Sequence, residues 1–232
     1  FLGCSFIAIW VEPSSPSRRI LAFSLLVPAQ ITVLVLVTGT ARVLRPGPLA
    51  LSAGLVSALE TWIWVRTVRS THPPTIRPAL GRAIRRSWRH PLLAALSALV
   101  GAAFAWEVAG AVRLPVVSWD SLYYHLPGPT AWVQLGRITD SHVNIYSDGY
   151  PQGQEVLHAW TMVFLHSTRG TGIVVAWWAL VGAAAVACLT RRIASRSAAV
   201  LAALVWLATP VVATQIGGAY VDVSGAAAIL AS

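Results

Sequence analysis

Apolar residues run along this chain in blocks of about twenty, with short polar stretches between them. Residues 20–40 hold 21 positions without a charge, directly after Arg18 and Arg19. At a rise of about 1.5 Å per residue a helix of that length covers a hydrocarbon core of about 30 Å. Pro28 and Gly39 fall inside the block, where a membrane helix tolerates them. Residues 91–112 and 171–190 repeat the pattern, the first with Glu107 near its end and the second uncharged. A shorter block at 49–65 is interrupted by Glu60, and 197–214 and 224–232 extend the series. The pattern predicts an all-α chain: a polytopic transmembrane helical bundle with one large loop, which carries short interfacial helices.

That loop spans residues 113–169 and holds four of the eight carboxylates (Asp120, Asp140, Asp148, Glu155) and four of the six histidines. Within it, 129–136 reads as a helical piece with proline in its first turn and glycine at its end. Ser147 to Gly153 reads as a turn by its Asp-Gly pair and proline. Residues 154–166 read as an amphipathic helix with Val156, Trp160 and Val163 on one face, lying at the membrane interface and walling a cavity.

Composition sharpens the membrane reading. The chain is 56% hydrophobic and 11% charged, against about 25% charged in an average soluble domain. Its net charge of +9 comes from 17 arginines and no lysine. The arginines flank apolar blocks, and no nucleic-acid motif or clustered aromatic stripe accompanies them, so they are read as topology signals rather than as a nucleic-acid surface. Residues 66–90 carry seven arginines, three prolines and no acid, which places them in the cytoplasm, with 81–90 as a basic helix on the inner leaflet. Twelve arginines (18, 19, those seven, 191, 192 and 196) then fall inside, against five (42, 45, 113, 137, 169) outside. The same topology makes the 113–169 loop and Asp222 extracytoplasmic. The last apolar block runs to Ser232, so the chain reads as a piece of a longer polytopic protein.

Candidate chemistry concentrates in the loop. Asp120 precedes a helical turn and reads either as a cap or as a working carboxylate. Glu60 is expected to be a partnered structural carboxylate, and Glu107 to face water or to wall an external cavity. His125, His142, His158 and His166 form no H-x-x-x-H pair, and Cys4 and Cys188 lack metal-ligand spacing. No G-x-S-x-G elbow or P-loop occurs.

The stretch WDSLYYHLPGPTAWVQLGRI, followed by YPQGQEVLHAW, resembles the first external loop of the GT-C membrane glycosyltransferases. It is most similar to the polyprenyl-phosphate-sugar-dependent branch related to protein mannosyltransferases and lipid A aminoarabinose transferases. The matching positions include Asp120, Tyr124, His125, Pro127, Trp132, Gly136, Tyr150, Glu155 and, in a second stretch, Asp222. The resemblance covers residues 91–232, leaving 1–90 as additional spans and the basic loop. It implies transfer of a sugar from a polyprenyl-phosphate carrier to a lipid, glycan or protein hydroxyl, with inversion. Asp120 would act as general base. Tyr124, His125, Tyr150, Glu155 and Asp222 would bind donor or acceptor, and Arg113 and Arg137 would face the phosphate. No metal ligand is assigned, and a divalent metal is left open. The chain departs from the family in having Ser121 after Asp120 and no D-x-D anywhere.

Two other classes compete. A transporter would line a pathway with Glu60, Glu107, Asp120 and Asp222, but the acids gather toward one face and no inverted repeat is visible. A catalytically inactive scaffold of the same fold would differ in losing nothing when Asp120 is replaced.

Overall fold

The computed structural model describes residues 16–67, 90–149 and 152–231. The basic stretch 68–89, with most of the expected inner-leaflet helix, lies outside the described residues, as do Cys4 and Tyr150. Among the described residues every regular element is helical and no strand occurs.

Four helices are long and apolar enough to cross a membrane: α1 (Pro16–Thr40), α2 (Pro46–Thr67), α3 (Pro91–Arg113) and α7 (Gly172–Ile193). They match the blocks at 20–40, 49–65, 91–112 and 171–190. α2 runs unbroken through Glu60. Prolines open α1, α2 and α3, where the missing N–H costs no helical hydrogen bond. Leu51, Leu55 and Leu59 on α2 and Leu92, Leu99 and Trp106 on α3 are exposed. Apolar faces of that extent are what helices in contact with lipid present.

Shorter helices fill the rest: α4 (Pro127–Leu135), α5 (Ile145–Gly149), α6 (Glu155–Leu165), α8 (Arg196–Ala208), α9 (Pro210–Gln215) and α10 (Asp222–Ala231). The block at 197–214 is therefore two helices rather than one unbroken helix. Thr209 is extended (φ −62°, ψ 125°) and Pro210 starts the second piece. Proline disfavours helical backbone in the residue before it, which accounts for the break. α4 follows its sequence signature: Gly136 closes it in the left-handed region at φ 67°.

Helix α7 is the hub. α8 and α10 pack against it, and α1 and α3 also contact it. Its small residues Ala176, Ala179, Ala183 and Ala185 are buried, which lets neighbours approach closely. A side chain at Gly182 would collide with the Trp206 ring, whose indole N–H donates to the Ala179 carbonyl at 2.9 Å. On the α1 side, the Trp177 indole donates to the Ser24 carbonyl at 3.1 Å.

The second packing layer corrects the expected placement of α6. Val156, Leu157, His158, Ala159, Met162 and Val163 are all buried, against α1 and α4. The helix does not lie on the surface of the fold; it is a core element on which the 113–169 segment folds. Only Phe164 and Leu165 at its end emerge. The segment is tied to the α1–α2 turn by backbone bonds from Leu44 N to Gly136 O (2.9 Å) and Ile138 N to Gly39 O (3.1 Å). Gly39 makes this possible, because a Cβ there would sit 2.6 Å from Ile138.

Candidate functional site

Helix α3 ends at Leu114 in extended backbone, and helical geometry resumes at Trp119. The next residues, Ser121–His125, widen into a π turn. Such widening strains the regular hydrogen-bond ladder and is frequent at functional sites. Asp120 lies inside this helical segment (φ −58°, ψ −44°) and its carboxylate makes no capping bond. The cap reading fails because the helix has already begun one residue earlier. The Asp120 side chain is exposed and makes no hydrogen bond or ion pair among the described residues.

Five contacts pin the turn. The Ser121 hydroxyl is fully buried; it accepts from the Ser118 hydroxyl at 2.6 Å and from the Ala219 N–H at 2.9 Å. The Asn144 amide donates to the Tyr123 carbonyl at 2.8 Å. The Leu126 N–H donates to the Ser121 carbonyl at 2.9 Å. His125 Nδ1 lies 2.8 Å from Glu155 Oε1, with side-chain exposures of 15% and 5%. A carboxylate only accepts, so Nδ1 is the donor. One residue earlier, Gln154 Nε2 donates to the Tyr220 carbonyl at 2.6 Å. The N-terminal end of α6 thus joins the π turn to the segment that precedes Asp222.

This junction holds unsatisfied polarity. Gln154 Oε1, Glu155 Oε2 and both ring nitrogens of His158 are buried without a hydrogen-bond partner. The Thr171 and Ala219 backbones lie near the His158 ring, but neither nitrogen closes a hydrogen bond to them. Burial is the main force holding His158 neutral, followed by the charge of nearby His125; together they push it down to about 3.

The remaining expected residues separate by role. Asp148 clasps its own loop: Ser141 N–H donates at 2.6 Å, the Ser141 hydroxyl at 2.8 Å and His142 N–H at 3.0 Å. The Ser141 N–H, aided by the other two donors, holds the Asp148 carboxyl below its ordinary range despite an opposing effect of burial. Asp222 opens α10 and accepts from Gln215 Nε2 at 2.8 Å. Arg113 is exposed at the end of α3, bordering an apolar hollow with Phe104, Val108 and Val112. Arg137 follows the glycine that closes α4. Among the described residues neither guanidinium pairs with Asp120, Glu155 or Asp222. Nor do three His, Cys, Asp or Glu side chains come together there as a metal site requires; the expectation of a possible divalent metal finds no ligand set among them.

An aromatic cluster borders Asp120 that the sequence reading did not single out. Trp119 and Tyr123 stack at 4.7 Å and 15°. Tyr124 meets both edge-on, at 5.3 and 5.1 Å, and meets Tyr146 at 5.9 Å. The four-residue spacing of 119 and 123 was the available signal, since such pairs meet on one helical face. The buried Ser121, Gln154 and His158 had no comparable signal.

Against known proteins, the chain matches no family model, no curated protein and no solved structure.

Proposed function

We propose that the protein is an integral membrane glycosyltransferase that moves a sugar from a polyprenyl-phosphate carrier to an acceptor hydroxyl on the extracytoplasmic side. In this reading the long apolar helices span the bilayer, 66–90 is cytoplasmic, and 113–169 forms the external catalytic segment. One observation carries it. The three stretches that resemble the GT-C pattern meet at one junction: His125 on Glu155, Gln154 on the Tyr220 carbonyl, and Ser121 on the Ala219 N–H. The carboxylate left open beside that junction is Asp120.

Asp120 takes the proton of the acceptor hydroxyl as its oxygen attacks the anomeric carbon. The bond from that carbon to the carrier phosphate breaks on the opposite face, so the configuration inverts and polyprenyl phosphate leaves. A positioned carboxylate contributes roughly 10²–10⁴-fold to such a step. Glu155 holds the His125 ring in place, and the fixed turn holds Asp120. Arg113 and Arg137 are the external cations that would attract the carrier phosphate.

Sugar transfer in membranes from labelled polyprenyl-phosphate sugars tests this, with Asp120→Asn beside the native chain. The expected result is transfer by the native chain and a loss of roughly 10²–10⁴-fold in the variant at equal insertion. Equal transfer by both overturns the role of Asp120. No transfer with any donor, together with solute flux in liposomes, favours a transporter.

A further inference from the structure

The aromatic cluster around Asp120 has a geometry that narrows what it can bind. Trp119 is 62% exposed and Tyr123 37% exposed. Their rings lie parallel at 4.7 Å, so nothing fits between them. A quaternary ammonium needs rings facing an open void, and this arrangement has none. What remains available is the outer surface of the stack. Asp120 and Tyr124 are also four residues apart, in the next row of the same widened turn. A flat aromatic row and a row bearing an unpartnered carboxylate therefore run side by side.

We propose that this stack and Asp120 together bind a pyranose ring, which makes the acceptor of the transferase proposed above a carbohydrate. A pyranose offers one face of C–H groups, made electropositive by the ring's oxygens, to the electron-rich face of an aromatic ring. Its equatorial hydroxyls project from the rim, where a carboxylate accepts their protons. An anionic headgroup would be repelled by Asp120, and no arginine stacks on these rings among the described residues. A position in hydrocarbon would leave the carboxylate without water. The site is also set before any ligand arrives. Asn144 holds the Tyr123 carbonyl, its Oδ1 accepts from the N–H groups of Tyr146 and Ser147, and Tyr146 abuts Tyr124. Preorganisation of this kind lowers the entropic cost of binding. A stacked ring places its rim hydroxyl beside the base that deprotonates it.

The test uses the chain in nanodiscs and saturation-transfer NMR with maltotriose, mannotriose and chitotriose. At least one is expected to bind, with affinity falling about tenfold in Trp119→Ala. Trp106→Ala, at a still more exposed tryptophan on α3, keeps native affinity. Circular dichroism confirms that both variants fold. No binding by any of the three sugars, or unchanged binding in Trp119→Ala, overturns the proposal. A second measurement places the ring: 5-fluorotryptophan at 119, assigned by Trp119→Phe, is read against spin-labelled lipids. Broadening by an acyl-chain label would make Trp119 a bilayer anchor and also overturn it; no broadening supports it. The two proposals fail separately. If the native chain transfers from no donor while Trp119→Ala loses sugar binding, the transferase reading falls and the carbohydrate site stands. If Asp120→Asn abolishes transfer while Trp119→Ala leaves binding and acceptor KM unchanged, the transferase stands and the platform falls.

Discussion

Replacing Glu155 by alanine removes the contact that holds the two halves of the 113–169 segment together. The His125–Glu155 bond is 2.8 Å long and Glu155 is 4% exposed. A hydrogen bond to a charged group is worth about 1.5–3 kcal/mol net. The one lost methylene adds about 0.8 kcal/mol. The native site also buries Oε2 without a partner, and releasing an unsatisfied buried oxygen returns about 1–3 kcal/mol. Taking the middle of each range, the net loss is about 1 kcal/mol. In a chain of this size each kcal/mol moves the midpoint by about 2–4 °C, so Glu155→Ala should melt about 2–4 °C lower. Glu155→Gln keeps one acceptor for the Nδ1 proton and should lose less than half as much. Thermal melts followed by circular dichroism in one detergent measure both. Nitrogen-15 NMR of the imidazole adds a local reading, since native His125 should carry its proton on Nδ1 and the alanine variant should lose that preference. An alanine variant melting within about 1 °C of the native chain, with the tautomer unchanged, would refute the contact as the joint between the halves.

Two predictions concern pH. His158 is neutral in the fold down to about 3, while an unfolded histidine takes up a proton near about 6.5. Its contribution is therefore complete above about 6.5 and is lost as pH falls from there toward 3, at a limiting slope of about 1.4 kcal/mol per pH unit; melts at pH 7.5 and 5.0 should show the decline, and His158→Leu should flatten it. For Asp148 the folded carboxyl is held low, so its clasp is complete above the unfolded value of about 3.9 and is lost as pH drops through the folded one. Protection of the Ser141 and His142 amides, relative to their intrinsic exchange rates, should be high at neutral pH, fall as pH drops through the lowered folded value, and be absent at every pH in Asp148→Ala.

The long apolar elements were legible because their signal is local. Span length, flanking arginines and the proline and glycine marks at Pro129 and Gly136 are each carried by a few neighbouring residues, and the helices appear where those marks fall. The errors came where the outcome depends on partners distant in sequence. Residues 154–166 have one apolar face and a polar start, which suits a surface helix. The polar start is instead consumed by Glu155 on His125 and Gln154 on the Tyr220 carbonyl, which allows the helix to be buried. The block at 197–214 is apolar throughout, yet Pro210 divides it, a local signal that the count of uncharged residues overrode.

The four carboxylates of the 113–169 segment were indistinguishable by spacing, and the structure separates them by what each already holds. Asp148 is occupied by three donors of its own loop, and Glu155 is buried against His125. Asp140 and Asp120 are both exposed; Asp140 sits on a connecting stretch held by Trp132 on Thr139 and Asp148 on Ser141, and Asp120 sits on a turn whose next residue is anchored to Ala219 and whose last is anchored to Glu155. A general base must be open to its substrate and still be fixed in position. A carboxylate that spends its lone pairs on the fold fails the first requirement; of the two left open, only Asp120 lies beside the exposed stack of Trp119 and Tyr123. Asp120 meets both because the buried Ser121 hydroxyl and the His125–Glu155 pair supply the rigidity, leaving its own oxygens uncommitted.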